Sequence, residues 1–222
     1  MPDRPRYIAV EGPIGVGKTS LARIISERLG ARLVLERLDD NPFLREFCKD
    51  RRRYAFQMQL FFLLMRYQQQ DSLGQEDLFR RGGVASDFTF ARDRILATVN
   101  LTPAELALHE KIYAILCPRV PRPDLVVYLQ ARTEVLLARL KKRAHDAKED
   151  GEEAFVPPAD YVEEVARAYR YYFFHYNDGP LLVVNTSEID FVGSPKDQDE
   201  LLAVIRRTKA GTQHYIPLAA AR

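Results

Sequence analysis

The sequence predicts an α/β fold, a five-stranded parallel sheet flanked by helices, and three observations predict it. Short apolar runs alternate with longer helical patterns along the chain, as they do where strands are joined by crossover helices. The runs are nearly unbroken in Val, Leu and Ile rather than alternating with polar residues, which suits strands covered on both faces. A glycine-rich turn separates the first run from the first helix.

The expected strands are Tyr7-Ile-Ala-Val10, Arg32-Leu-Val-Leu-Glu36, the shorter Gly83-Val-Ala-Ser-Asp87, Asp124-Leu-Val-Val-Tyr-Leu129 and Pro180-Leu-Leu-Val-Val-Asn185. A helix over Thr19–Leu29 stops at Gly30, a residue suited to the left-handed turn that ends helices. No proline interrupts Arg53 to about Phe79. Phe56, Leu60, Leu63, Leu64 and Tyr67 there make a helix apolar on more than one side, either deep in the core or shared with a second copy. The expectation is a homodimer through this helix. Further helices are expected near Pro103–Leu116, Thr133–Ala144 and Asp160–Tyr176. Residues 145–158, rich in acids and small residues with Gly151 and paired prolines, read as a loop between helices. The tail after Gly211 has no period and is given no role. The 222 residues read as one domain.

Composition narrows the function classes. Lys and Arg number 33 against 31 Asp and Glu, a net charge of +2. A dedicated binder of nucleic acid polymers would show a basic excess. The two cysteines, Cys48 and Cys117, form no CxxC pair, so neither a disulfide framework nor a zinc site is expected. The longest apolar runs, Leu60–Met65 and Ile112–Cys117, are far too short to span a membrane. The first residues run directly into a strand without the pattern of a signal peptide. A cytoplasmic protein is expected.

Gly12-Pro13-Ile14-Gly15-Val16-Gly17-Lys18-Thr19 fits the G-x-x-x-x-G-K-[ST] phosphate-binding pattern, and it lies between a strand and a helix as that pattern must. Its glycines let successive N–H groups turn toward one anion at a helix N-terminus. Lys18 can reach the β- and γ-phosphates of ATP, and the Thr19 hydroxyl can join the coordination of Mg²⁺. Asn41, Asn100, Asn177 and Asn185 are not followed by lysine, so the guanine-reading Asn-Lys-x-Asp of a GTPase is missing. The chain is also short for a motor, which leaves a compact kinase as the common class.

Ligands of open α/β sheets sit at the carboxyl ends of the strands. Glu36 and Asp87 fall there, after the second and third runs. One carboxylate beside the phosphate turn can hold Mg²⁺, and another can accept the proton of an acceptor hydroxyl.

These residues resemble the deoxynucleoside kinase family, especially its bacterial deoxyadenosine/deoxyguanosine kinase branch. The resemblance rests on Ile8 to Thr19, on Glu36-Arg-Leu-Asp-Asp-Asn-Pro-Phe-Leu44, and on Tyr54-Ala-Phe-Gln-Met-Gln-Leu-Phe-Phe-Leu63. It extends to about Arg207. It implies a P-loop kinase fold with a short lid at about 139–158, a tail at about 211–222, and transfer of the ATP γ-phosphate to a nucleoside 5′-hydroxyl. It implies Glu36 as general base, Gln59 and Arg66 as readers of the base edge, and Asp93 as their acidic partner. Arg139 and Arg143 match the start of an arginine-bearing lid that clamps phosphates. A purine is the expected base.

The chain also departs from the family pattern. Phe88 stands where the family has an arginine beside the catalytic acid, and Arg92 or Arg94 are candidates to replace that guanidinium. Cys48 replaces a tyrosine that contacts the sugar, and His145 replaces a second lid arginine. The acid for the sugar 3′-hydroxyl is left open among Glu149, Glu152 and Glu153. Two rival readings follow: a nucleotide-binding sensor or scaffold with little turnover, suggested by Phe88 and Cys48, and a nucleoside-monophosphate kinase of the thymidylate type, against which Glu36 speaks.

Overall fold

Every residue of the first strand, β1 (Tyr7–Glu11), is buried, as a strand paired on both edges and covered on both faces must be. The computed structural model describes residues 7–73, 83–149 and 155–215. After β1 come α1 (Lys18–Leu29), β2 (Arg32–Val34), α2 (Leu44–Lys49), α3 (Arg51–Asp71), β3 (Val84–Ser86), α4 (Ala91–Asn100) and α5 (Pro103–Leu116). Then follow β4 (Leu125–Gln130), α6 (Thr133–Glu149), α7 (Ala159–Phe174), β5 (Leu181–Asn185), α8 (Pro195–Arg207) and β6 (Thr212–Tyr215).

The strands form one parallel sheet in the order β2-β3-β1-β4-β5-β6. Ala9 lies opposite Ser86 on one side and Val126 on the other. The chain runs from β1 to the edge strand β2, returns to β3 between them, then crosses to β4 on the other side of β1. The switch point is therefore at the carboxyl end of β1, where a crevice forms in such sheets. Alternate residues of β4 face opposite layers. Leu125, Val127 and Leu129 pack with Leu21, Ile25, Leu136 and Leu202. Val126 and Tyr128 pack with Phe62, Ile95, Val165 and Phe173.

The sheet has six strands rather than five. The tail, to which the sequence reading assigns no role, supplies β6, with Leu181 opposite Thr212 and Val184 opposite Tyr215. Its residues alternate between exposed and half-buried, so this edge strand carries no apolar run and takes its conformation from pairing with β5. β2 is shorter than expected and stops two residues before Glu36, while β3 stops one residue before Asp87. Both acids sit just past strand ends.

Asp50 opens α3 by accepting a hydrogen bond from the Arg53 N–H at 3.2 Å, a cap that satisfies one orphan donor. Positions 74–79 of the expected long helix lie outside the described residues. Of the apolar residues expected on the shared face of α3, Leu63 is buried, Phe56, Leu60 and Tyr67 are half-buried and Leu64 is exposed. Ala55, Met58, Phe62, Leu63 and Met65 are buried, together with the polar Gln59, Arg66 and Gln70. α6 continues past Ala144 to Glu149, so the first residues expected as loop are helical. Glu152 and Glu153 lie outside the described residues. Among the described residues no helix is long and apolar enough to cross a membrane.

Candidate active site

The glycine-rich turn joins β1 to α1 at the switch point, and its glycines are positions that other residues cannot fill. Gly17 has φ 103°, and a Cβ there would lie 2.9 Å from Cζ of Phe191. At Gly12, φ is 149° and a Cβ would run into the Leu129 carbonyl oxygen. Left-handed backbone and close approach both demand glycine. Lys18 donates from Nζ to the Pro13 carbonyl at 3.0 Å, curling over the turn. Burial, and after it the neighbouring Arg92 charge, bring the Lys18 amine down to about 8. Glu36 is among the charges that oppose this fall, so its carboxylate is electrostatically coupled to the lysine.

Asp87 ties three elements together. Its Oδ2 accepts from the Thr19 hydroxyl at 2.6 Å, and its Oδ1 accepts from the Glu36 backbone N–H at 2.8 Å. Thr19 is exposed while Asp87 is buried. A hydroxyl and a carboxylate side by side, one open to solvent, are hard oxygen donors of the kind Mg²⁺ takes when phosphates complete its shell. The pair therefore fits that ion.

Glu36 extends over α3 and α4. Its Oε1 accepts from Arg66 Nε at 2.6 Å and pairs also with Arg66 Nη2. Arg92 Nη1 donates to its Oε2. Burial alone would raise the Glu36 pKa, but the Arg66 and Arg92 charges outweigh it and hold the carboxyl down at about 2. Glu36 is thus ionised at neutral pH, as an acceptor of protons must be.

Gln59 and Arg66, seven residues apart on α3, face the same side as Asp93 on α4. Arg66 Nη1 lies 2.6 Å from Asp93 Oδ2, and both side chains are buried. Gln59 Nε2 donates to the Asp93 carbonyl at 3.4 Å, and its Oε1 accepts from Asn100 Nδ2 at 3.2 Å. Both ends of the amide are thus engaged by the chain. His109 on α5 is wholly buried, with Nε2 3.9 Å from Asp93 Oδ1. Neither His109 ring nitrogen has a hydrogen-bond partner among the described residues. Unsatisfied polar groups of this kind are costly.

The structure brings Thr19, Asp87, Glu36, Arg66 and Asp93 into one continuous network of hydrogen bonds and ion pairs, within electrostatic reach of Lys18. Arg139 lies on the far side of the phosphate turn. It donates from Nη1 to the Val16 carbonyl at 3.3 Å and to Thr186 Oγ1 at 3.1 Å, and from Nη2 to the Thr186 carbonyl at 2.7 Å. Arg143, a helical turn further on, is exposed, as is His145, whose Nε2 is 3.7 Å from Glu149. Cys48 is half-buried on α2.

Glu11 was not foreseen from the sequence. This last residue of β1 is completely buried. It accepts from the Thr89 N–H at 2.6 Å, the Thr89 hydroxyl at 3.0 Å, the Tyr169 hydroxyl at 3.2 Å and Arg92 Nη2 at 3.2 Å. The available signal was an acid closing an otherwise apolar strand immediately before the first glycine. An ionisable group so placed needs a buried partner. Of the two candidate replacement arginines, Arg92 is inside this network. Arg94 points outward to Glu110 at 2.9 Å.

The family described as deoxynucleoside kinase has a sequence model that matches residues 8–208. A deoxyguanosine kinase of Bacillus subtilis (strain 168) is 29% identical over 204 residues, covering 90% of this chain and 96% of that protein. A deoxyadenosine kinase of Lactobacillus acidophilus is 28% identical over 210 residues, covering 90% and 94%. Among solved structures, deoxyadenosine kinase from M. mycoides with bound dATP superposes with a TM-score of 0.73 at 25% identity, over 89% of this chain and 97% of that one.

Proposed function

Because the chain belongs to the deoxynucleoside kinase family, and is therefore an ATP-dependent phosphotransferase, we propose that it phosphorylates the 5′-hydroxyl of a purine deoxynucleoside with Glu36 as general base. One observation carries the assignment: Glu36, whose ionised carboxylate is coupled to Lys18, is fixed by its backbone N–H on Asp87, which also holds Thr19 of the phosphate turn. A hydroxyl seated against Glu36 would then lie on the γ-phosphate side of the turn, where transfer is a matter of positioning and charge stabilisation. Lys18 and the turn's N–H groups hold the β- and γ-phosphates, and Arg139 and Arg143 close on them from α6. Mg²⁺, held by Thr19 and Asp87, would supply further neutralisation of charge on the phosphoryl oxygens.

Gln59, Arg66 and Asp93 form the floor for the base. The names of the Bacillus and Lactobacillus relatives, deoxyguanosine and deoxyadenosine kinase, support a purine. Beyond its bonds to Asp93 and Asn100 the Gln59 amide keeps a second N–H and a second oxygen lone pair, and a buried amide presenting these discriminates by leaving the wrong base with unpaired groups. With ATP as donor, kcat/KM for deoxyadenosine or deoxyguanosine is expected to exceed that for thymidine by roughly tenfold or more. ADP release in a coupled assay measures it. Faster turnover of monophosphates would instead establish the monophosphate-kinase reading. ATP binding without ADP release for any acceptor would establish the sensor.

A cytoplasmic homodimer completes the proposal. α3 exposes one large apolar side chain, Leu64, whereas α5 exposes Leu108 and Ile115 and α7 exposes Tyr171 and Phe174, so we move the expected contact to those two helices. Glu110 of α5 and Tyr171 of α7 line one cavity of about 880 Å³ between these helices. Exposed apolar side chains so grouped mark an association surface. Light scattering is expected to give twice the chain mass, and Phe174→Glu to halve it. A wild-type monomer at micromolar concentration would remove the dimer from the proposal.

A further inference from the structure

We infer that Arg92 is the positioning residue that holds the catalytic carboxylate, a guanidinium moved one helical turn along the chain to serve where Phe88 has displaced the arginine of the family pattern. The inference rests on the reading of Glu36 as general base. Phe88 is wholly buried and cannot reach Glu36 with a charge. Arg92 fills that need from the first turn of α4, with Nη1 on Glu36 Oε2, Nη2 on Glu11 Oε2 at 3.2 Å, and Nη2 again on the Asp87 carbonyl. Its guanidinium carbon lies 6.0 Å from the centre of the Phe88 ring. The residue that removed the old donor thus flanks the new one.

The geometry has a consequence for Glu36. Arg66 grips Oε1 from α3 and Arg92 grips Oε2 from α4, so the carboxylate is held at both oxygens and its plane is fixed. The planar fork of arginine spans Glu11, Glu36 and Asp87 together, which a lysine ammonium cannot do in one geometry. Fixing the base in a reactive orientation contributes to rate rather than to substrate affinity. The same bonds connect β1, the segment after β3 and α4, so the base is referred to the strand that carries the phosphate turn.

The test is a double-mutant cycle between Arg92 and Glu36, with kcat, the KM values for ATP and nucleoside, and Tm measured for each protein. Arg92→Met is expected to lower kcat about 10²-fold with ATP KM unchanged. The combined Glu36→Gln/Arg92→Met protein is expected to be no slower than Glu36→Gln alone, because a residue acting through another adds nothing once that partner is gone. Should Arg92→Met not fold, Arg92→Lys takes its place in the cycle, with a loss in kcat of about tenfold and the same non-additivity expected. Arg94→Met, whose arginine donates outward to Glu110, is expected to keep wild-type kcat. Losses that multiply in the double variant, or a folded Arg92→Lys with wild-type kcat, would overturn the inference. A Glu36→Gln enzyme that keeps its full rate would instead overturn the general-base reading, and the single-variant arm separates the two.

Discussion

Replacing Glu36 with Gln is expected to lower kcat roughly 10³-fold, within the usual range for loss of a general base, while the enzyme still binds ATP. Gln keeps the size and one acceptor oxygen of the side chain but cannot take the proton of the acceptor hydroxyl. The nucleotide is held elsewhere, by the turn from Gly12 to Thr19, so its affinity should be little changed. The pH dependence of the wild type provides a second check. Glu36 titrates at about 2 in the fold against an ordinary 4.5. A carboxylate with a depressed pKa contributes stability fully above its unfolded value, and that contribution is lost as pH falls through the folded value. Stability tied to Glu36 should therefore decline between about pH 4.5 and 2, and Glu36→Gln should remove that portion of the acid transition. Around neutral pH the group is already ionised and kcat should show no acid limb from it. A steady-state assay beside isothermal titration with ATP measures the first expectation. Near-wild-type kcat in the variant would mean that the acceptor proton leaves by another route.

The parts of this molecule that were readable in the sequence are those whose physics is local. The turn from Gly12 to Thr19 needs glycine for its backbone and lies where strand and helix patterns meet, so residue types alone located it. The apolar runs of β1, β4 and β5 announced buried strands because nothing polar interrupts them. β6 escaped because Thr212-Gln-His-Tyr215 has no apolar face and owes its shape to a neighbour contributed from about thirty residues upstream. Of the α3 side chains that suggested a partner subunit, Leu63 is buried in its own chain, Phe56, Leu60 and Tyr67 are half-buried and Leu64 is exposed, so apolar density alone did not separate a core face from a contact face. In the site, spacing on one helix brought Gln59 and Arg66 to the same face, but the choice between Arg92 and Arg94 was beyond sequence reading. The two are separated by about 200° around a helix, and only the position of β1 against α4 decides which faces inward. Glu11 was missed for the same reason: its partners come from the segment after β3, from α4 and from α7.

Glu11→Ala is expected to cost about 3–5 kcal/mol of folding stability, the range seen when one partner of a buried ion pair is removed. For a chain of this length that corresponds to a fall in Tm of roughly 10 °C. The carboxylate accepts six hydrogen bonds, from Gly12, Thr89, Arg92 and Tyr169, and alanine removes the acceptor of each in a place water does not reach. Arg92 would keep Glu36 but lose its other carboxylate, and the net charge of the buried cluster would shift by one unit. Glu11→Gln separates the contributions. Its amide oxygen can still accept from the Thr89 N–H, whereas its NH₂ end would meet the guanidinium or the tyrosine hydroxyl with a donor. If hydrogen-bond satisfaction dominates, Gln should recover about half of the loss; if charge pairing with Arg92 dominates, Gln should be almost as unstable as Ala. Thermal and denaturant unfolding of the three proteins distinguishes these outcomes, and a loss below about 1 kcal/mol for alanine, the scale of an ordinary surface pair, would show that the strand end tolerates an empty site there.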